Sequence, residues 1–90
     1  MKNINDAIKE ECDAIAAFLQ GKNESYGNSV GDPIKCFSQL DASARIAVRL
    51  DDKLSRLMRG GTYPGDDSRL DLLGYLVLER VLLRVKEDTK

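Results

Sequence analysis

The sequence contains no histidine and no tryptophan, and only 2 of its 90 residues are proline. Histidine is the commonest general base and metal ligand, so its absence excludes histidine-based catalytic triads and ordinary zinc sites. No run approaches the roughly 18 apolar residues of a transmembrane helix, and the first residues lack the apolar core of a signal peptide. We therefore expect no membrane association and a location in the cytoplasm of the cell that makes the protein.

Cysteine is also scarce, and neither sign of charge dominates. Cys12 and Cys36 lack paired spacing, which predicts free thiols rather than a disulfide scaffold. Because the formal net charge is −1, we expect no nucleic-acid binding by bulk attraction, and any anion site must be local. A charged fraction of 32% and a hydrophobic fraction of 42% fit a folded helical protein, and 90 residues fit one domain over residues 1–90.

The spacing of apolar residues predicts a first helix over residues 3–20, with Gly21 as its stop. Residues 22–37, KNESYGNSVGDPIKCF, form a long connector in which Asp32 and Pro33 favour a short helical turn. Long loops in compact domains are often functional, so this connector is a candidate for ligand contacts.

Capping residues mark the ends of two further predicted helices. The second begins near Ser38 or Asp41 and ends at Gly60, and the third is capped by Asp66 or Asp67 and runs to about residue 86. The predicted fold is therefore all-α, a small three-helix bundle with a long connector between helices 1 and 2.

The third predicted helix is apolar on two sides. One side carries Leu70, Val77, Leu78, Val81 and Val85, and the other carries Leu72, Leu73, Leu76 and Leu83. Two other helices of a 90-residue monomer can cover only one side, so the second side predicts a partner subunit and a helical homo-oligomer. Gly74 in the middle of this helix predicts a close helix crossing.

Residues 42–61 predict an amphipathic helix with an apolar face and a cationic face. The apolar face carries Ile46, Ala47, Leu50, Leu54, Leu57 and Met58. The opposite face carries Arg45, Arg49, Asp52, Lys53, Arg56 and Arg59. Guanidinium groups match phosphate and carboxylate oxygens, which makes Arg45, Arg49, Lys53 and Arg56 candidate anion ligands. The alternative is a solvated face in which an arginine pairs with Asp52.

Aromatic and amide side chains in the connector provide a second candidate site. Lys22 precedes Tyr26, Asn28 and Ser29, and tyrosine can stack on a base while asparagine and serine bond its edge. A turn held by asparagine and glycine explains the same residues equally well.

A strip of acidic residues runs along the third predicted helix, where Asp67, Asp71, Tyr75 and Glu79 recur every four residues. This strip predicts either an ion-pair seam with the cationic face or, together with Asp51 or Asp52, a Mg²⁺ site built from carboxylate oxygens.

Three motifs in order resemble a known family. They are K-N-x-x-Y-G-N-S at 22–29, R-x-D-D-K-x-x-R at 49–56 and D-x-x-x-D-L-x-G-Y at 67–75. This set is similar to the small all-α proteins of phages and mobile elements called nucleotide-modification-associated, which are distantly similar to MazG-like nucleotide pyrophosphohydrolases. The resemblance implies a helical oligomer with a nucleotide-like ligand.

The chain departs from the MazG-like metal pattern, which has a Glu-x-x-Glu pair on one helix and a Glu-x-x-Asp pair on the next. Here Asp51 and Asp52 are adjacent, and the spacing that ends at Asp71 begins at Ser68. The resemblance therefore favours the ligand class over the hydrolysis, and no cofactor is expected for a binding protein.

Three functions follow as hypotheses. The first is a phage-encoded nucleotide-binding oligomer that sequesters a nucleotide-type signal at an Arg-rich intersubunit site. The second is a Mg²⁺-dependent pyrophosphohydrolase with Glu11, Asp52, Asp67 and Asp71 as metal ligands. The third is an adaptor whose two-sided third helix docks a host protein.

Overall fold

The structure is a computed structural model that describes residues 3–60, 64–65 and 67–88, and this part of the chain contains three α-helices and no strands. The helices are α1 (Ile4–Ser25), α2 (Ala42–Arg59) and α3 (Ser68–Asp88). The all-α prediction is therefore confirmed. Over the described residues, none of the three helices combines the length and the apolar character that crossing a membrane requires.

The boundaries of α2 and α3 follow from their capping residues. The Asp41 carboxylate accepts a hydrogen bond of 2.8 Å from the backbone N–H three residues later, and Gly60 ends α2 in the left-handed conformation at φ 69°. The Asp67 carboxylate caps α3 in the same way at 2.9 Å. These contacts confirm Asp41 and Asp67 as predicted helix caps. Asp66, the alternative cap for α3, lies outside the described residues.

The end of α1 differs from the prediction. The helix continues through Gly21 to Ser25, because the chain reverses only at Gly27 (φ 63°) and Asn28 (φ 62°), which adopt the left-handed conformation. The connector therefore comprises residues 26–41. The short helical turn predicted after Asp32 does not form, because residues 33–40 have no helical hydrogen bonds and contain only a bend at Cys36 and Phe37.

Packing centres on the contact between α2 and α3, where Ile46 is buried. α1 crosses α3 at Gly74, which is itself buried. A Cβ atom at Gly74 would lie 3.3 Å from the Leu19 Cδ2 atom of α1. The close crossing predicted from this glycine is therefore confirmed, and a larger residue would push the two helices apart.

The isolated chain is less compact than a typical folded monomer of the same mass. Its accessible surface is 7575 Å², whereas a folded monomer of 10.0 kDa exposes about 5,200 Å². Its radius of gyration is 15.1 Å, against about 12 Å for a compact domain of this length. Within the described residues, Ile46, which is 5% exposed, is the only buried hydrophobic side chain.

Candidate functional site

Four of the eight predicted ligand residues line one cleft of about 290 Å³. They are Lys22, Tyr26, Ser29 and Arg49. Tyr75 of α3 lines the same cleft, which we call the tyrosine cleft after Tyr26 and Tyr75. The end of α1, the start of the connector, α2 and α3 each contribute to its wall, so the cleft exists only in the folded chain.

The α1 side of the tyrosine cleft is held by local contacts. Lys22 lies in the last turns of α1, and its Nζ atom is 4.5 Å from the centre of the Phe18 ring, a cation–π contact. The Tyr26 N–H donates a hydrogen bond of 3.0 Å to the Lys22 carbonyl oxygen. This hydrogen bond fixes the backbone at the end of α1. Because Lys22 and Tyr26 are four residues apart, their side chains lie next to each other.

The other side of the tyrosine cleft borders a second cavity of about 570 Å³ beneath the connector. Ser29, Arg49 and Tyr75 line both spaces. Arg49 is exposed and Tyr75 is half-buried, so a guanidinium group and a phenol ring stand where the two spaces meet.

Tyr75 lines the tyrosine cleft, whereas the sequence indicates it only as a member of the acidic strip on α3, four residues after Asp71. Asp71 lines the same cleft. The signal that could have identified Tyr75 is its position directly after Gly74, where Leu19 of α1 contacts α3, because the connector residue Tyr26 follows the end of α1.

Arg45, a predicted anion ligand, instead holds the connector. Its Nη2 atom donates hydrogen bonds to the carbonyl oxygens of Ile34 at 2.6 Å and Ser38 at 3.1 Å, and its Nε atom donates to that of Leu40 at 3.0 Å. Since three backbone acceptors engage this guanidinium group, we assign Arg45 a structural role.

Lys53, a second predicted ligand, faces α3 rather than the cationic face. Its Nζ atom lies 3.1 Å from Asp71 Oδ2, and the two side chains are only 15% and 26% exposed. At about 100° per residue, Lys53 lies about 20° from Ile46 and about 40° from Arg49, at the border of the apolar and cationic faces, and the fold turns it toward α3. A lysine at such a position requires a counter-ion, and Asp71 provides it.

The remaining predicted ligands lie outside the tyrosine cleft. Asn28 is a turn residue, because it has φ 62° and its Oδ1 atom accepts a 2.7 Å hydrogen bond from the Asn23 side chain. Arg56 is exposed on α2. The structure thus separates the predicted set into cleft residues, structural residues and Arg56, which does not line the cleft.

The carboxylates predicted to bind Mg²⁺ do not form a metal site. Asp67 caps α3, Asp71 pairs with Lys53, and Asp52 is exposed on α2. Across the described ranges 3–60, 64–65 and 67–88, no three acidic, cysteine or histidine residues are grouped so that they could hold a metal ion. The arrangement does not fit the metal centre of a hydrolase.

Comparison with protein-family models, with curated proteins and with solved structures gave no match. Functional inference therefore depends on the residues of the site itself.

The chemistry of the tyrosine cleft suits a flat, anionic molecule. Tyr26 and Tyr75 provide aromatic faces, while Lys22 and Arg49 provide two cationic groups. The one carboxylate in the wall, Asp71, has its charge balanced by Lys53, which leaves the cleft positive. At about 290 Å³ the cleft lies near the lower end of the roughly 300–1,000 Å³ range of ligand pockets.

Proposed function

We propose that the protein binds a nucleotide-type ligand without turning it over, as a helical oligomer with the tyrosine cleft as its binding site. The observation that carries the proposal is the convergence of Lys22, Tyr26, Ser29 and Arg49 on one cleft. These residues come from two separate sequence motifs, at 22–29 and 49–56, and the fold brings them together.

Each side chain has a role that follows from its chemistry. Tyr26, 64% exposed, stacks on the base, and stacking of this kind contributes about 1–3 kcal/mol. Arg49 and Lys22 bind phosphate oxygens through charge-assisted hydrogen bonds. The Ser29 hydroxyl bonds the sugar or the base edge.

A ligand larger than one nucleotide has two ways to extend. The cavity beneath the connector adjoins the cleft at Ser29, Arg49 and Tyr75. Arg56 follows Arg49 by seven residues, so the two side chains lie on the same face of α2. The Arg-rich intersubunit site expected from the sequence is part of this proposal.

Binding rather than hydrolysis is favoured because two of the carboxylates predicted to bind Mg²⁺ have structural partners. Asp71 is paired with Lys53, and Asp67 is committed to the N-terminus of α3. A protein that binds a nucleotide without consuming it lowers the free concentration of that nucleotide, so its effect in the cell is sequestration.

Isothermal calorimetry against mononucleotides, dinucleotides and cyclic nucleotides tests this proposal. We expect Arg49→Ala to weaken binding of the best ligand about tenfold or more, and Tyr26→Ala to do the same. Tyr26→Phe keeps the aromatic ring and retains the affinity. Arg59→Ala removes an arginine outside the cleft and serves as the matched control. No binding by any nucleotide, or equal loss in Arg49→Ala and Arg59→Ala, would contradict the proposal.

A further inference from the structure

An apolar groove of about 410 Å³ lies between α1, the start of the connector and the C-terminal half of α3. Its apolar lining includes Ala16, Leu19, Val77, Val81, Leu82 and Val85, and Gln20, Asn23 and Asn28 also border it. Val81 and Val85 remain 41% and 52% exposed, although they lie on the side of α3 that we expected the other helices to cover.

The N-terminal half of α1 carries a row of apolar residues in the isolated chain. Ile4 is 74% exposed, Ile8 is 55% exposed, and Cys12 continues the row one turn later. We call these three residues the α1 stripe. Apolar side chains aligned along two turns of a helix are expected to be covered in the functional state.

We propose that the apolar groove of each chain is filled by the α1 stripe of a second copy, which gives a symmetric dimer with two identical contacts. This inference specifies the interface of the oligomer in the proposed function. It does not depend on nucleotide binding, because the two surfaces carry it on their own.

The two surfaces match in length and in pattern. Cys12 follows Ile4, and Val85 follows Val77, by eight positions, which is about 12 Å of helix. Both are rows of residues four apart, and packing of such rows against each other is the commonest arrangement of two helices in globular proteins. Because every copy carries one stripe and one groove, two copies satisfy both surfaces and the assembly closes.

The excess of exposed surface area also favours a second copy of the chain as the occupant of the groove. The chain exposes about 2,300 Å² more than a compact monomer of its mass. Obligate dimers bury from about 1,000 to 2,500 Å² on each partner, so one second copy accounts for the excess. Charge at the border of the contact is complementary, since Glu11 follows the stripe residue Ile8 by three positions and Arg84 follows Val81 by three positions.

The test is sedimentation equilibrium of the full chain without nucleotide. We expect wild type at twice the 10.0 kDa monomer mass. Ile8→Asp disrupts the stripe and Val81→Asp disrupts the groove, and each weakens association at least about tenfold because a carboxylate would be buried. Circular dichroism of both variants checks that the helices persist. Met58→Asp, at a residue that is 80% exposed on α2, keeps the dimer mass and is the matched control.

Mixing the two variants separates a lost contact from a lost fold. Ile8→Asp keeps an intact groove and Val81→Asp keeps an intact stripe, so the mixture regains one of the two contacts and forms heterodimers that neither variant forms alone. A mixture that stays monomeric contradicts the inference.

Two further outcomes would overturn it. One is a wild type of 10.0 kDa mass, which would leave the apolar surfaces to a different protein, as in the adaptor hypothesis. The other is dissociation by Leu73→Asp, on the outer side of α3, without an effect of Ile8→Asp or Val81→Asp. Calorimetry on the same samples reports nucleotide binding separately, so failure of the interface and failure of the proposed function are distinguishable.

Discussion

Lys53 Nζ and Asp71 Oδ2 lie 3.1 Å apart and join α2 to α3 through an ion pair that is largely shielded from water. We expect Asp71→Asn to lower the free energy of unfolding by about 1–3 kcal/mol, because the lysine loses its counter-ion in a half-buried position. Urea denaturation followed by circular dichroism measures the change.

The exposed pair of Lys9 and Asp13 is the matched control for this prediction. Its atoms lie 2.7 Å apart, but the side chains are 77% and 65% exposed. Asp13→Asn should therefore change stability by less than about 0.5 kcal/mol. Equal effects of the two substitutions would mean that burial does not strengthen the contact between Lys53 and Asp71.

Substitutions of Gly74 and Gly21 test how closely α1 and α3 approach each other. Gly21→Ala should stabilise the protein by about 0.5–1 kcal/mol, because the residue lies inside α1 with no atom within 4 Å of the added methyl group. At Gly74 the added methyl group meets Leu19 Cδ2 at 3.3 Å, so Gly74→Ala gains less. Gly74→Ile should destabilise by about 1–3 kcal/mol, since the helices must separate. Thermal unfolding of the three variants compares them, and a stabilising isoleucine would exclude a close crossing.

Arg45→Ala should release the connector. Three carbonyl oxygens, those of Ile34, Ser38 and Leu40, lose their guanidinium donor, so trypsin should cleave after Lys35 several-fold faster than in wild type. Arg49→Ala, which removes an arginine without these bonds, is the control. An unchanged cleavage rate at Lys35 in Arg45→Ala would show that the three bonds do not order the connector.

Substitutions of Asn28 distinguish a role in the turn from a role in ligand binding. Glycine accepts φ 62° without strain, so Asn28→Gly should change stability by less than about 1 kcal/mol and leave nucleotide affinity intact. Asn28→Val should destabilise by about 1–3 kcal/mol, because β-branched residues disfavour the left-handed conformation. Denaturation and calorimetry on both variants distinguish the roles, and a large loss of affinity in Asn28→Gly would restore Asn28 as a ligand contact.

Local signals in the sequence predicted the helices well. The caps at Asp41, Gly60 and Asp67 and the crossing at Gly74 each depend on the conformational preference of one residue, and each is confirmed. The predicted end of α1 at Gly21 was wrong. A glycine inside a helix lowers helix stability by only about 1 kcal/mol relative to alanine, and the neighbouring turns offset this cost.

The site was harder to predict because it depends on contacts between distant segments. Nothing in the sequence of α2 distinguishes Arg45, which binds backbone carbonyls, from Arg49, which lines the cleft. That difference is decided by the path of the connector over α2. Lys53 lies at the border of the two faces of α2, so its helical angle alone does not decide which way it points. Its ion pair with Asp71 follows from the packing of α2 on α3.

The central claim is that a nucleotide occupies the tyrosine cleft, and NMR titration of the ¹⁵N-labelled protein with the best-binding nucleotide tests it most directly. We predict that the amide signals that shift most belong to residues 22–29, Arg49 and residues 71–75, with the N-terminal half of α1 unaffected by the ligand itself. Saturable shifts confined to another surface, or no shifts with any nucleotide, would contradict the account.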